Sequence, residues 1–233
     1  MIELLKISPI EKAIFLKRIN KFLATAKLNN EEIEIHVHDP GRLKELLFEG
    51  NKILIKKEDK PHRKTKFDLI AAFKNDHWVL VHSGYHRKIA EKIIQKGIIK
   101  EFKKYDKIQA EVKYNNSRID FKLTNKQNEL WLEVKGCTLT KNGIALFPDA
   151  PTKRGTRHLK ELIELGNSAI LILIFRKDSK CFMPNFDTDP EFAKNFKKLL
   201  EKKVKIYPVL LSFKNETVYF EKILPLCEDI NEL

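Results

Sequence analysis

Hydrophobic residues in the first third of the chain recur at every second position in short bursts. Residues 33–37 alternate strictly, 13–27 alternate less regularly, and 52–57 carry Ile53, Leu54 and Ile55 together. Residues 67–73 and 77–81 complete a series of half-buried strands. Asn29-Asn30, Asp39-Pro40-Gly41, Gly50-Asn51, Pro61 and Asn75-Asp76 supply turns between them. Leu43, Leu46 and Leu47 fall at helical spacing and predict a short helix over 42–48. Short strands with one small helix predict an all-β N-terminal part; an OB-like β-barrel of the oligonucleotide-binding type fits it, as do many other β-folds.

Beyond residue 84 the period changes. Residues 87–96 read as a helix burying Ile89, Ala90 and Ile93, and 107–114, 118–124 and 129–139 read as strands. Leu159, Leu162 and Ile163 mark one face of a helix over 152–165. The uninterrupted apolar run 169–175 is a buried strand, 190–202 is a further helix, and 205–212 and 217–221 are closing strands. The expectation is an α/β chain in two domains: residues 1–84 form the β-rich part, and 85–233 form an α/β or α+β domain.

Charge adds a partner class to this architecture. Lys and Arg number 45 against 32 Asp and Glu, giving a net charge of +13. The excess is no tail, because residues 1–100 and 101–233 are each net basic. A basic surface spread over a folded chain attracts polyanions through counterion release. Neither a basic amphipathic helix with an aromatic face nor an apolar run of spanning length appears, which excludes a membrane partner and favours nucleic acid. Cys137, Cys181 and Cys227 lack metal-finger or redox spacing. Their odd number argues against a disulfide framework, so a reducing, cytoplasmic location is expected.

The densest chemistry lies in residues 117–137. Ile119, Phe121 and Leu123 share one strand parity, which turns Asp120 and Lys122 to the other face; Leu130, Leu132 and Val134 do the same for Trp131, Glu133 and Lys135. With a turn at 125–128 the two strands form a hairpin carrying Asp120, Glu133 and Lys135 on one face. Two carboxylates and a lysine so placed are costly unless they bind something. Asp, about a dozen residues, then Glu-x-Lys is the pattern of PD-(D/E)xK nucleases. There the carboxylates and a peptide carbonyl, here that of Val134, hold Mg²⁺ or Mn²⁺, and the lysine orients a water. The bland alternative is a solvated hairpin with a surface ion pair worth under about 1 kcal/mol.

Longer motifs sharpen this. Glu133-Val134-Lys135-Gly136-Cys137-Thr138-Leu139, then Gly143 and the run from Ala145 to Gly155, closely resemble the sugar fermentation stimulation (SfsA) family. So do His158-Leu159-Lys160-Glu161-Leu162, Gly41-Arg42-Leu43 and Lys64-Thr65. The resemblance implies an oligonucleotide-binding barrel followed by a nuclease-like domain, with DNA as the partner. It places Asp120, Glu133 and Lys135 at nuclease-type positions, and Glu91 at the helix glutamate that often completes such sites. Asp39-Pro40 and His82-Ser83 stand where family members often have Asn-Thr, so the resemblance says less about the first domain's ligand contacts.

Other residues divide between DNA contact and structure. Arg63, Lys64 and Lys66 lie in a basic loop that begins at Lys60-Pro61-His62, and are expected to grip phosphates. Arg154, Arg157 and His158 are expected on the outward side of their helix, facing the DNA backbone. Arg42 and Arg87 open helices whose N–H groups suit phosphate. Arg118 joins the DNA-contacting set, with Glu111 either a further ligand or its structural partner. Of the aromatic residues, Trp131 is the favoured base-stacking candidate. His36, His38, His82 and His86 raise a zinc site, but no cysteine or carboxylate joins them at ligand spacing, so they read as core or surface histidines. Cutting both strands of a duplex would be compatible with a homodimer.

Overall fold

The structure is a computed structural model and describes residues 1–59 and 63–228. Its elements run β1 (Ile2–Lys6), β2 (Glu11–Arg18), β3 (Leu23–Leu28), β4 (Glu31–His36), β5 (Lys52–Lys57), β6 (Phe67–Lys74), β7 (His77–Leu80), α1 (His86–Gln95), β8 (Lys107–Tyr114), β9 (Ser117–Thr124), β10 (Glu129–Cys137), β11 (Leu139–Lys141), β12 (Ile144–Phe147), α2 (Lys153–Leu165), β13 (Ser168–Ile174), β14 (Cys181–Pro184), α3 (Pro190–Glu201), β15 (Lys205–Lys214) and β16 (Thr217–Ile223).

The N-terminal part is an OB barrel. Strands run β4-β3-β2-β5-β6, and a short parallel pairing of β4 with β6, Ile35↔Phe67 and His36↔Asp68, closes the ring. The region expected to alternate over 13–27 is a hairpin, β2 and β3, with a bulge between Phe15 and Lys17. Residues 42–48 are a turn rather than the expected helix. Leu43 has a φ of 50°, and Leu46 and Leu47 both donate N–H to its carbonyl. The three leucines are buried, so the spacing that imitated a helix serves a wrapped turn.

Through β7, which pairs antiparallel with β6, the same sheet continues into the C-terminal part as a mixed sheet in the order β7-β15-β13-β10-β9-β8, with β16 on β15 and the N-terminal strand β1 on β16. Parallel pairings β10–β13 and β13–β15 form its centre. All seven residues of β13 are buried, as expected of a parallel strand covered on both faces. Ala169, Leu171 and Leu173 join the core shared with the barrel and α1; Ile170, Ile172 and Ile174 join the core under α2 and α3. Burying one such side chain contributes about 1.5–3 kcal/mol, so this strand anchors everything built on β10.

A small second sheet, β11-β12-β14, is too short to have been read from alternation. Cys181 in β14 is disulfide-bonded to Cys227, while Cys137 is free and buried. An odd cysteine count therefore left room for one bridge, and the inference of a reducing compartment loses its premise. Among the described residues no helix is long and apolar enough to cross a membrane.

Candidate active site

The helix α2 creates the site by lying across the polar face of β10. Thr152 caps it, its Oγ1 accepting from the Gly155 N–H at 3.0 Å, and Gly166 with φ 74° lets the chain leave. Asp189 caps α3 and also accepts from the Thr152 N–H at 2.8 Å, fixing the two helix starts to each other. The buried stripe of α2 includes Gly155, Leu159 and Leu162, and also His158. His158 therefore faces inward, not toward the DNA backbone as expected.

His158 Nδ1 pairs with Glu133 Oε1, and Arg154 Nε–H points at its Nε2 from 3.4 Å. With Nε2 accepting, Nδ1 carries the proton and donates to the carboxylate. Lys135 Nζ donates to the same Oε1 at 2.5 Å. Glu133 Oε2 is buried and receives no hydrogen bond. Asp120 Oδ2 accepts from the Val134 N–H at 2.7 Å. The β9–β10 register runs to Leu132↔Phe121, one step short of the two acids, and the Asp120 side chain takes over where the ladder ends.

Electrostatics separate the carboxylates. Burial would push Glu133 up, but the Lys135 charge and the His158 hydrogen bond outweigh it and hold Glu133 at about 2. Asp120 is pushed up to about 6, first by burial and then by Glu133. The solvated hairpin is thereby excluded: Glu133 is only 2% exposed. Asp120, Glu133, Val134 and Lys135 line a cleft of about 500 Å³ together with Asp39 and Gly41 of the barrel.

The sequence matches the family described as "Sugar fermentation stimulation protein RE domain" over residues 84–217, and "SfsA N-terminal OB domain" over 16–81. The chain belongs to the SfsA family. It is 48% identical over 232 residues to a sugar fermentation stimulation protein homolog of Thermosipho melanesiensis, covering 98% of this chain and 100% of the relative. A homolog from Saccharolobus solfataricus is 45% identical over 221 residues, covering 93% and 85%. The solved structure of Pyrococcus furiosus SfsA in complex with Ca²⁺ superposes with a TM-score of 0.91 at 25% identity, over 97% of this chain and 100% of that one.

Within this SfsA chain the other expected residues are distributed unevenly. Glu91 is not brought to the cleft; its Oε1 accepts from Gln95 Nε2 at 3.4 Å on the exposed side of α1. Arg87 and Arg118 are exposed, and both lean on Glu111, at 3.4 and 3.5 Å. Arg157 is exposed and donates to Ser117 Oγ at 3.0 Å, and Arg154 stands at the cleft rim. Lys64, Lys66 and Arg42 are exposed. Arg63 is engaged by the buried carboxylate of Asp68 instead of being free for phosphate. Lys60, Pro61 and His62 lie outside the described residues. Trp131 is 7% exposed, with its Nε1 donating to Glu129 and Lys122 Nζ 4.7 Å from its ring centre, so it offers no base platform.

Two contributions, from Arg18 and Asp149, were missed, and His86, expected as a core or surface histidine, lies beside the site. Arg18 reaches across the barrel to donate to the carbonyls of Gly41 at 2.6 Å and Asp39 at 3.0 Å, shaping the cleft wall. Asp149 sits against that wall, accepting from the Leu43 N–H at 3.4 Å. His86 stacks on Phe175, ring centres 5.5 Å apart, and lies against Gly136. A Cβ on Gly136 would come within 2.1 Å of His86 Cε1. Gly136→Ala is therefore expected to destabilise the fold by about 1–3 kcal/mol, measured by denaturant unfolding.

Desolvation of the half-buried His86 ring among its neighbours pushes it down to about 4, helped by neighbouring His82. An unfolded histidine takes up its proton near 6.5. Between those values the unfolded state binds the extra proton, so this contribution to stability is full above about pH 6.5 and is lost as pH falls toward 4. The loss amounts to an order of 3 kcal/mol. Denaturation in EDTA at pH 7 and pH 4.5 should show the difference shrinking in His86→Phe. An unchanged pH slope in that variant would refute the assignment.

Proposed function

We propose that this protein binds DNA across the cleft and hydrolyses a phosphodiester there with Mg²⁺ or Mn²⁺. The observation that carries the reading is Glu133 Oε2, a buried carboxylate oxygen without a hydrogen-bond donor in a cleft that Asp120 also lines. Leaving such an atom unpartnered costs about 1–3 kcal/mol or more, and a hard divalent cation satisfies it. Asp120, Glu133 and the Val134 carbonyl would hold the ion, consistent with hard-oxygen preference. A relative's structure with bound Ca²⁺ supports that preference. When bound, the ion polarises the phosphate and acidifies a water.

The chain's own residues do the rest. His158 fixes the Glu133 carboxylate through Nδ1–H and is itself oriented by Arg154, a positioning chain rather than a phosphate contact. Lys135, anchored on Glu133 at the cleft, is placed to orient a nucleophile and offset phosphate charge. Lys21, Arg87 and Arg154 on the cleft lining give the positive potential that draws in a backbone. A second reading, DNA binding without cleavage, is favoured by one observation: Lys135 and His158 already occupy Glu133 Oε1, and the Lys135 ammonium offsets its charge. Supercoiled plasmid and labelled single strands incubated with Mg²⁺, Mn²⁺ or EDTA separate the two. Metal-dependent cutting supports the nuclease; tight, salt-sensitive binding without cutting supports the second reading; absence of binding refutes both.

A further inference from the structure

Asp68 is the carboxylate that the histidines lack in the linear sequence. It lies in β6, otherwise apolar from Leu69 to Phe73, and β-barrel closure carries it to His38 and His82. Asp68 is 4% exposed and His82 6%. His38 Nε2 stands 3.2 Å from Asp68 Oδ2, and His82 Nε2 stands 3.6 Å from the same oxygen. One ligand atom from each of the three residues lies within 4.8 Å of the others.

We propose that His38, Asp68 and His82 form a second metal centre, on the barrel rather than in the cleft, for a borderline transition ion of the Zn²⁺ class. A tetrahedral ion with bonds of 2.0–2.1 Å sets its ligand atoms about 3.3 Å apart, close to both observed separations. His38 Nε2 is sealed from solvent and makes no hydrogen bond, although Asp68 Oδ2 is 3.2 Å away. His82 Nε2 stands beyond hydrogen-bond reach of that oxygen. Ligands of one ion need not align as donor and acceptor with each other, so groups this close without a hydrogen bond of normal geometry fit a shared ion.

The surroundings hold the rings in this arrangement. The imidazoles of His38 and His82 stack with centres 3.7 Å apart. Ser83 Oγ donates to the His38 carbonyl at 2.8 Å, and a Cβ on Gly84 would stand 2.8 Å from His82 Cε1. Arg63 holds Asp68 from outside, Nη2 on Oδ1 and Nη1 3.3 Å from Oδ2, the place of an outer-shell orienting group. Two imidazoles and one carboxylate select Zn²⁺-like ions over Mg²⁺ or Ca²⁺, with a fourth position for water. The ion would tie the ends of β4 and β7 to β6, beside the Asp39-Gly41 wall of the cleft. Its binding energy would therefore become folding energy for that wall.

The test is titration of EDTA-stripped full-length protein with Co²⁺, followed by displacement with Zn²⁺. The expected result is one equivalent of Co²⁺ with a four-coordinate spectrum. It persists in the Asp120→Asn, Glu133→Gln double variant, and its affinity falls at least about tenfold in His38→Gln and in His82→Gln. Zn²⁺ should raise the unfolding temperature of wild type and not of His82→Gln. Imidazole nitrogen resonances of the wild type, which need no variant, should shift at both Nε2 atoms on adding Zn²⁺. Uptake indifferent to both histidine variants, unshifted Nε2 resonances, or no Co²⁺ uptake by folded wild type would overturn the proposal.

Discussion

Glu133→Gln is expected to reduce metal-dependent DNA cleavage by at least about 10³-fold while DNA binding survives. Lewis-acid and nucleophile activation by a bound ion are worth several kcal/mol of barrier, and each 1.36 kcal/mol is tenfold in rate. The amide keeps the shape of the carboxylate and still accepts from His158 Nδ1–H, but it removes the charge that Lys135 and a divalent cation both need. Asp120→Asn should act in the same direction, because Asp120 keeps its Val134 N–H contact through an amide oxygen and loses only its anionic character. Single-turnover cleavage of plasmid measures the first effect, and fluorescence anisotropy at fixed salt measures the second. Cleavage undiminished in Glu133→Gln would place the chemistry elsewhere; parallel loss of binding would make Glu133 part of the DNA contact.

That prediction rests on features the sequence carried only in part. Parity within β9 and β10 put Asp120, Glu133 and Lys135 together, because a two-residue period is local information. It could not tell a solvated face from one covered by a helix, and α2 covers it. His158 sits three residues after Gly155 and four before Leu162 on the same helical stripe, so its inward orientation was legible from spacing. Its histidine identity suggested a surface role instead. Arg63 had no such signal: its partner Asp68 is five residues away across a loop, and only the barrel brings them together. Leu43, Leu46 and Leu47 imitated a helix because a wrapped turn buries residues at similar intervals.

Removal of the Cys181–Cys227 bridge is expected to cost about 2–4 kcal/mol of unfolding free energy, toward the upper end because the cysteines are 46 residues apart and a longer loop loses more entropy when closed. The loop spans α3, β15 and β16, so its freedom in the unfolded chain is large. For a chain of this size such a loss lowers the unfolding temperature by roughly 4–16 °C. Thiol counting gives an independent check. Of three cysteines, two are bridged, which leaves one free thiol, Cys137. Burial pushes that thiol up to about 12, so native protein should resist alkylation at neutral pH. Non-reduced protein in denaturant should then titrate a single thiol, and reduced protein all three. Three reactive thiols without reductant would show that the bridge does not form, and Cys181→Ser would then leave stability unchanged to within the range of an ordinary surface substitution, about 0.5 kcal/mol.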